Sequence, residues 1–404
     1  MTPEALWERA GEELQAVWRQ DQNREQRIYA KLQEALRVAE IHSADLAPEA
    51  GYAFHPTGLG KLETVLRHYF QAEAALVRPQ MVSGTHALSL ALEALTPDGG
   101  TVLVATGEPY DSLWPVLGLG AGHGSSLPAR HGVRVEIADL SEPMALAEAA
   151  TRHQPDVVLI QRSRGYSGVR SRSVAVCDQI AGYFGSLGAL TIVDNCYGEF
   201  VEDQEPISGS YGLVVGSLIK NPGGTLAPSG AYVAGAERLV ERVGERLFGA
   251  ALGRAPGPVP GGIHAYVQGL HLAPHLVREA IGVSRQAAYL FMHMGYDVDP
   301  APMDPRTDLV LRIRTGREDK LLAAMRALQS SMPIDAHLMP EPAAWPGYRN
   351  PVVMAGAVFV PGGTLELSAD APVRAPFDLF LQGGLSSAQA RLPLLTMANA
   401  MGPA

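Results

Sequence analysis

Short, unbroken apolar runs alternate with helix-length stretches through the middle of the chain. The runs "ALVRPQMV", "TVLVAT", "VRVEIADL", "DVVLIQRS", "LTIVDNCY", "GLVVGSLI" and "GAYVAG" fall between residues 75 and 235. Apolar positions without polar alternation are the mark of strands buried on both faces. Helix-length connections between such strands predict a mostly parallel sheet with helices on both sides. On sheets of this kind, ligands sit beyond the carboxyl ends of the strands.

The two ends of the chain read differently. Residues 1 to about 45 carry helical periodicity with charge interspersed, as in "REQRIYAKLQEALRVAEI", and no strand lies beside them, which predicts an N-terminal helical arm. A Gly/Pro loop, "GRAPGPVPGG" at residues 253–262, precedes helical segments over about 263–295. Beyond it, short strands such as "DLVLRIR" and "VVMAGAVFV" flank the helix "REDKLLAAMRALQSS", which predicts a smaller α+β domain. The expected division is an arm over 1–50, a large α/β domain over 51–275 and a small domain over 276–404.

Composition narrows the function classes. The 404 residues are 47% hydrophobic and 18% charged, which excludes a disordered or fibrous chain. A formal net charge of −10 with no long block of like charge leaves no electrostatic footprint for nucleic acid. Cys177 and Cys196 are the only cysteines, too few for a disulfide framework, so a reducing cytoplasm is the expected home. The start "MTPEALWERAGEELQAVWRQ" is acidic and amphipathic, unlike a secretory signal, and no apolar stretch reaches the roughly 20 residues that span a bilayer.

Three strand ends carry candidate chemistry. "MVSGTHALSLALEAL", residues 81–95, reads as strand, Ser-Gly-Thr turn and helix. Free amides at that helix start, with Ser83, Gly84 and Thr85, form an anion site that suits a phosphate, although Ser83 or Thr85 could equally cap the helix. In "IVDNCYGEF", Asp194 ends another apolar run, where a carboxylate either caps a turn or holds a proton on a heterocyclic nitrogen. In "GSLIKNPGG", Ser217 precedes Lys220 after the run "LVVGSLI". A lysine on so apolar an approach needs a partner or must become neutral, and a desolvated lysine is a candidate nucleophile for a carbonyl. Together the phosphate turn, the strand-end carboxylate and the lysine make up the ligand set of pyridoxal 5′-phosphate.

The sequence resembles the fold-type I pyridoxal-phosphate enzymes, and within their Cys/Met-metabolism branch the methionine gamma-lyase-like or aluminium resistance proteins. The likeness rests on "RPQMVSGTHAL", "GEPYDSL", "IQRSRGY", "VDNCYGEFVEDQEP", "GSLIKNPGG", "PRTDLV", "PGY" and "ELSADAPVRAPF", and runs from about residue 50 to the C-terminus. The resemblance implies that Lys220 bonds the cofactor aldehyde and Asp194 pairs with the pyridine nitrogen. Ser217, Ser83, Gly84 and Thr85 would hold the phosphate, and Tyr110 would stack on the ring. It also makes Arg374, with Arg306 and Arg164 as rivals, the receptor for the substrate carboxylate. Better-known relatives reach a neighbouring subunit's phosphate with a Tyr-x-Arg. Here "GYAFHPTGLGK" offers Tyr52 without the arginine.

The activity implied is carbon–sulfur β- or γ-elimination on a small amino acid, by a homotetramer or homodimer. An aminotransferase or racemase with the same cofactor is the alternative, as is a catalytically silent relative linked to metal tolerance. Other motifs carry less. Ser217-x-x-Lys220 also matches penicillin-recognising hydrolases, but the companion Ser-Asp-Asn and Lys-Thr-Gly motifs are missing. His271 and His275 have the spacing of zinc ligands on a helix, yet Pro274 is expected to break that turn and no Glu follows His271. "GLGAGHG" lacks dinucleotide-loop spacing, and Cys196 reads as a small buried hydrophobe.

Overall fold

The computed structural model describes residues 1–120, 124–141, 143–206, 209 and 212–404. Each of the seven apolar runs contains a strand: β1 (Ala74–Arg78), β2 (Thr101–Val104), β3 (Arg134–Ile137), β4 (Val157–Gln161), β5 (Leu190–Asp194), β6 (Gly212–Ser217) and β7 (Ala231–Gly235). They form one sheet in the order β1-β7-β6-β5-β4-β2-β3. β3, β2, β4, β5 and β6 run parallel, whereas β7 is antiparallel to both β1 and β6.

Eleven α-helices accompany the strands among the described residues: α1 (Pro3–Glu13), α2 (Gln15–Val38), α3 (Thr57–Tyr69), α4 (Gly84–Leu95), α5 (Leu127–His131), α6 (Pro143–His153), α7 (Val174–Ser186), α8 (Glu237–Phe248), α9 (His264–His293), α10 (Glu318–Ser330) and α11 (Ser387–Met401). Most of the strands are buried at nearly every position and largely apolar, because both faces are covered. Val158 and Ile160 of β4 meet α7 through Ile180 and Phe184, while Val157 and Leu159 belong to the opposite core with Leu88 and Leu92 of α4 and Leu239 of α8. β3 departs from this pattern: it lies at the sheet edge and exposes Arg134 and Ile137.

A second sheet is built by β8 (Asp297–Asp299), β9 (Leu311–Arg314), β10 (Val352–Gly356), β11 (Ser368–Pro372) and β12 (Asp378–Gln382), ordered β10-β11-β12-β9-β8 and antiparallel throughout. The N-terminal helices fold onto the body of the same chain. α1 buries Leu6, Trp7 and Ala10 in the core of this second sheet, and α2 buries Ile28 and Leu32 in the core of the first.

α9 overturns one expectation. Pro274 does not break the chain there, because the helix runs unbroken from His264 to His293 with Pro274 buried inside it. The lost hydrogen bond is outweighed by packing, since Leu270 and Val277 sit in the first core and Val283 and Leu290 in the second. His271 and His275 are therefore mid-helix and exposed, with His275 Nδ1 2.9 Å from Glu25, and no metal-ligand cluster occurs among the described residues. Near its start, α9 meets the turn Asn221–Gly223 that follows Lys220. The backbones at Gly269 and Gly224 abut so closely that a Cβ on either would overlap a carbonyl opposite.

Candidate active site

A cavity of about 530 Å³ lies at the carboxyl ends of β4, β5 and β6, roofed by the second sheet. Its floor gathers most of the residues singled out in the sequence: Ser83, Gly84, Thr85, Tyr110, Asp194, Ser217 and Lys220 all line it.

One end is a set of hydroxyls around a helix start. β1 ends at Arg78, so Met81 and Val82 lie in the turn before α4 and not in a strand as expected. Ser83 is the N-cap of α4, its Oγ accepting from His86 N at 3.1 Å. Thr85 Oγ1 lies 3.3 Å from the Tyr110 hydroxyl and 3.2 Å from Ser112 Oγ. The Ser217 hydroxyl, at the last position of β6, is fully buried and has no partner among the described residues. Gly84 allows this convergence, since a Cβ there would come within 2.8 Å of Cys196 Sγ. Uncapped amides, the helix dipole and an orphaned hydroxyl together suit an anion.

Tyr110 is fixed by its backbone N–H, which donates to Gln161 Oε1 at 3.0 Å, and it packs against Gly165. Its phenol is pushed well up by burial, so it acts as a neutral hydroxyl.

Asp194 closes β5, in register with Gln161 of β4, and its Oδ1 accepts from Cys196 N at 3.1 Å. Burial raises its pKa while the Lys220 charge and the Cys196 hydrogen bonds pull it back. A buried carboxylate with so few donors is stabilised by any cation placed against it.

Lys220 follows β6. Its Nζ sits 3.8 Å from the centroid of the Tyr197 ring. Burial lowers its pKa, but Tyr197, Cys196, Asp194 and Glu199 outweigh that and leave it above the ordinary lysine value. Tyr197 reaches this position with a left-handed backbone, φ 70°, a conformation that costs of order 1–3 kcal/mol and persists where the surroundings impose it.

The surroundings are a buried polar network behind Asp194. Arg162 donates to Asn195 Oδ1 and Glu202 Oε2, both at 2.6 Å, and Asn195 Nδ2 donates to Glu205 Oε2 at 3.0 Å. Glu199 accepts from the Tyr232 hydroxyl at 2.9 Å, and burial drives its pKa up to about 8. These contacts pin the turn between Asp194 and Glu205 that carries Cys196 and Tyr197. The Cys196 thiol is itself pushed well above the usual range by burial, which makes it unreactive.

The arginines lie elsewhere. Arg374 Nη2 donates to the Tyr166 carbonyl at 3.2 Å, one layer behind the cavity wall. Arg164 pairs with Asp299 at 2.5 Å, and Arg306 donates to the Ala301 carbonyl at 2.9 Å, its pKa lowered to about 9 by burial. None of the three lines the cavity. Tyr52 is 77% exposed and stacks on Phe54, away from the cavity of its own chain.

Sequence reading missed Tyr166, Tyr197, Tyr348 and Asp370, all of which line the cavity. Asp370 had a usable signal. Ser368 and Asp370 are two apart in "ELSADAPVRAPF", so on a strand they share a face, and both line the cavity from β11.

A family profile described as methionine gamma-lyase matches residues 4–402. YnbB of Bacillus subtilis, described as uncharacterized, is 33% identical over 359 residues, 87% of this chain and 85% of that one. A crystal structure from Listeria monocytogenes, provisionally named a cystathionine beta-lyase involved in aluminium resistance, is 32% identical with a TM-score of 0.92, covering 98% of this chain and all of that one (100%). The pyridoxal-5′-phosphate-dependent protein YhfS from Escherichia coli shares the fold at 18% identity, with a TM-score of 0.62 over 94% of this chain and 96% of that one.

Proposed function

Because the chain belongs to the methionine gamma-lyase family, we propose that it is a pyridoxal 5′-phosphate-dependent carbon–sulfur lyase that acts on an amino acid by β- or γ-elimination. One observation carries this reading. A half-buried lysine, a buried carboxylate and an orphaned serine hydroxyl beside a helix N-terminus line one cavity, matching the aldehyde, ring nitrogen and phosphate of that cofactor.

When bound, the cofactor supplies a carbonyl for the substrate amine and a ring that takes up the electrons of the broken Cα–H bond. The side chains divide the remaining tasks. Ser217, Thr85 and the first amides of α4 bind the phosphate. The Asp194 carboxylate holds a proton on the ring nitrogen, because an adjacent anion favours the charged form. Lys220 Nζ takes the proton from Cα, and Tyr110 and Tyr197 wall the site. Overall, a thioether amino acid and water give a thiol, ammonia and a 2-oxo acid.

The exposed Tyr52–Phe54 pair supports a homodimer or homotetramer in which this loop meets a second copy. No helix among the described residues is long and apolar enough to cross a membrane, which agrees with a cytoplasmic protein.

The test is spectroscopic and then chemical. A visible band that bleaches on borohydride treatment, with the cofactor mass on a Lys220 peptide, is the expected result. Thioether amino acids should then yield 2-oxo acid and free thiol without a second amino acid. Cofactor mass on another lysine, or transamination products, would overturn the reading.

A further inference from the structure

The charges that line the cavity are unbalanced in a way that bears on substrate choice. Among the described lining residues Lys220 is the only cation, against the carboxylates of Asp111, Asp194 and Asp370. Asp194 and Lys220 belong to the cofactor end. Asp111 is engaged by Arg349, whose Nε lies 3.3 Å from its Oδ1. Asp370 is left without an ion pair among the described residues, because Arg374, four residues on, turns to the Tyr166 carbonyl.

Its surroundings are those of a receptor. Asp370 sits in β11, paired in register with Met354 of β10 and Phe380 of β12. Tyr166 lies beside Asp370 and opposes the rise in its pKa, and Tyr166 packs on Tyr348 at 5.9 Å and Phe380 at 5.4 Å. Met354, Tyr166 and Tyr348 line the same wall. The small-domain wall is therefore aromatic and aliphatic surface with one carboxylate set into it. Burial lifts Asp370 to about 6, with Tyr166 and Lys220 opposing, so at pH 7.5 it is an anion.

We propose that Asp370 determines specificity, selecting thioether amino acids whose sulfur substituent ends in a cationic amine and rejecting those that end in a second carboxylate. The methylenes of such a substituent lie against Met354 and the tyrosine rings, and its ammonium meets Asp370 in a site shielded from water, where an ion pair is worth far more than at a surface. This inference rests on the lyase reading for its reaction, but not for its binding preference.

The test uses the full chain loaded with pyridoxal 5′-phosphate, at pH 7.5. S-(2-aminoethyl)-L-cysteine, S-ethyl-L-cysteine and S-carboxymethyl-L-cysteine are compared by kcat/KM for pyruvate release. In parallel, L-ornithine, L-norvaline and L-glutamate are titrated against the visible band of the loaded protein, a binding readout that needs no C–S cleavage. The cationic member should be favoured over the anionic one by at least about tenfold in each series. Asp370→Asn should bring both ratios to near unity while Lys220 still takes the cofactor. Ornithine preference without thioether cleavage would sink the lyase reading and uphold the role of Asp370. Thioether cleavage with no preference for the amine, or a preference unchanged in Asp370→Asn, would overturn the role of Asp370. Where Asp370→Asn does not fold, Asp370→Ser takes its place with the same expected outcome, and wild-type ratios near unity would overturn the proposal by themselves.

Discussion

The ammonium of Lys220 rests 3.8 Å from the centre of the Tyr197 ring, and Tyr197 offers that ring from a left-handed backbone at φ 70°. The lysine is thus held by an aromatic face, with no salt bridge among the described residues. Tyr197→Phe keeps the face and should change stability by less than about 1 kcal/mol. Tyr197→Ala removes both the face and a packed side chain, and should cost about 3 kcal/mol or more in urea unfolding of the unloaded protein.

Lys220→Ala should still fold, since it replaces a half-buried cation with a methyl, but it should take no cofactor mass after borohydride. Turnover should fall to background. Peptide mass spectrometry on the reduced protein checks the first point and 2-oxo acid release the second.

Ser83 and Ser217 should separate cleanly. Ser83 caps α4, so Ser83→Ala should lower stability by about 1 kcal/mol whether or not cofactor is present. Ser217 has no hydrogen-bond partner among the described residues, so Ser217→Ala should leave the protein assayed without cofactor as stable as before or slightly more so. Its effect should be on cofactor affinity, weaker by roughly tenfold for one lost hydrogen bond to a charged group. Paired melting curves and cofactor titrations distinguish the two.

Asp194→Asn preserves shape and removes the charge that keeps a proton on the ring nitrogen. Turnover should drop by about a hundredfold or more while cofactor remains bound, more weakly. Turnover equal to the unmodified protein would remove Asp194 from the chemistry.

Glu199 sets a pH dependence of stability. Burial holds its folded pKa at about 8 against an unfolded value of 4.5, so the folded state keeps a proton that the unfolded state loses as pH rises between those values. Unfolding then releases a proton, and stability falls with rising pH across that window. Glu199→Gln should melt at the same temperature as the unmodified protein at pH 5 and at a higher temperature at pH 8.

The large sheet was legible because most of its strands carry unbroken apolar runs, a pattern that burial on both faces imposes. Lys220, Asp194 and the Ser83 turn were legible for a related reason: each is a polar residue at the end of such a run. The cavity's other wall was not. β11 spells Ser-Ala-Asp-Ala-Pro and carries little apolar periodicity, and the residues facing Asp370 come from loops near Tyr166 and Tyr348, far apart in the chain. The guanidinium of Arg374 suits a carboxylate, but it lies beyond Pro372, the last residue of β11, and donates instead to the Tyr166 carbonyl. Pro274 failed as a helix breaker because packing on two cores overrides a local preference worth about 3 kcal/mol.

Where Gly269 of α9 leans on Gly224, two backbones touch with no side chain to cushion them. The same helix bears on β8, β9 and β12 of the second sheet. One end of α9 therefore touches the turn behind Lys220 and the rest of it underlies the sheet that roofs the cavity, so a single helix fixes the spacing between the two.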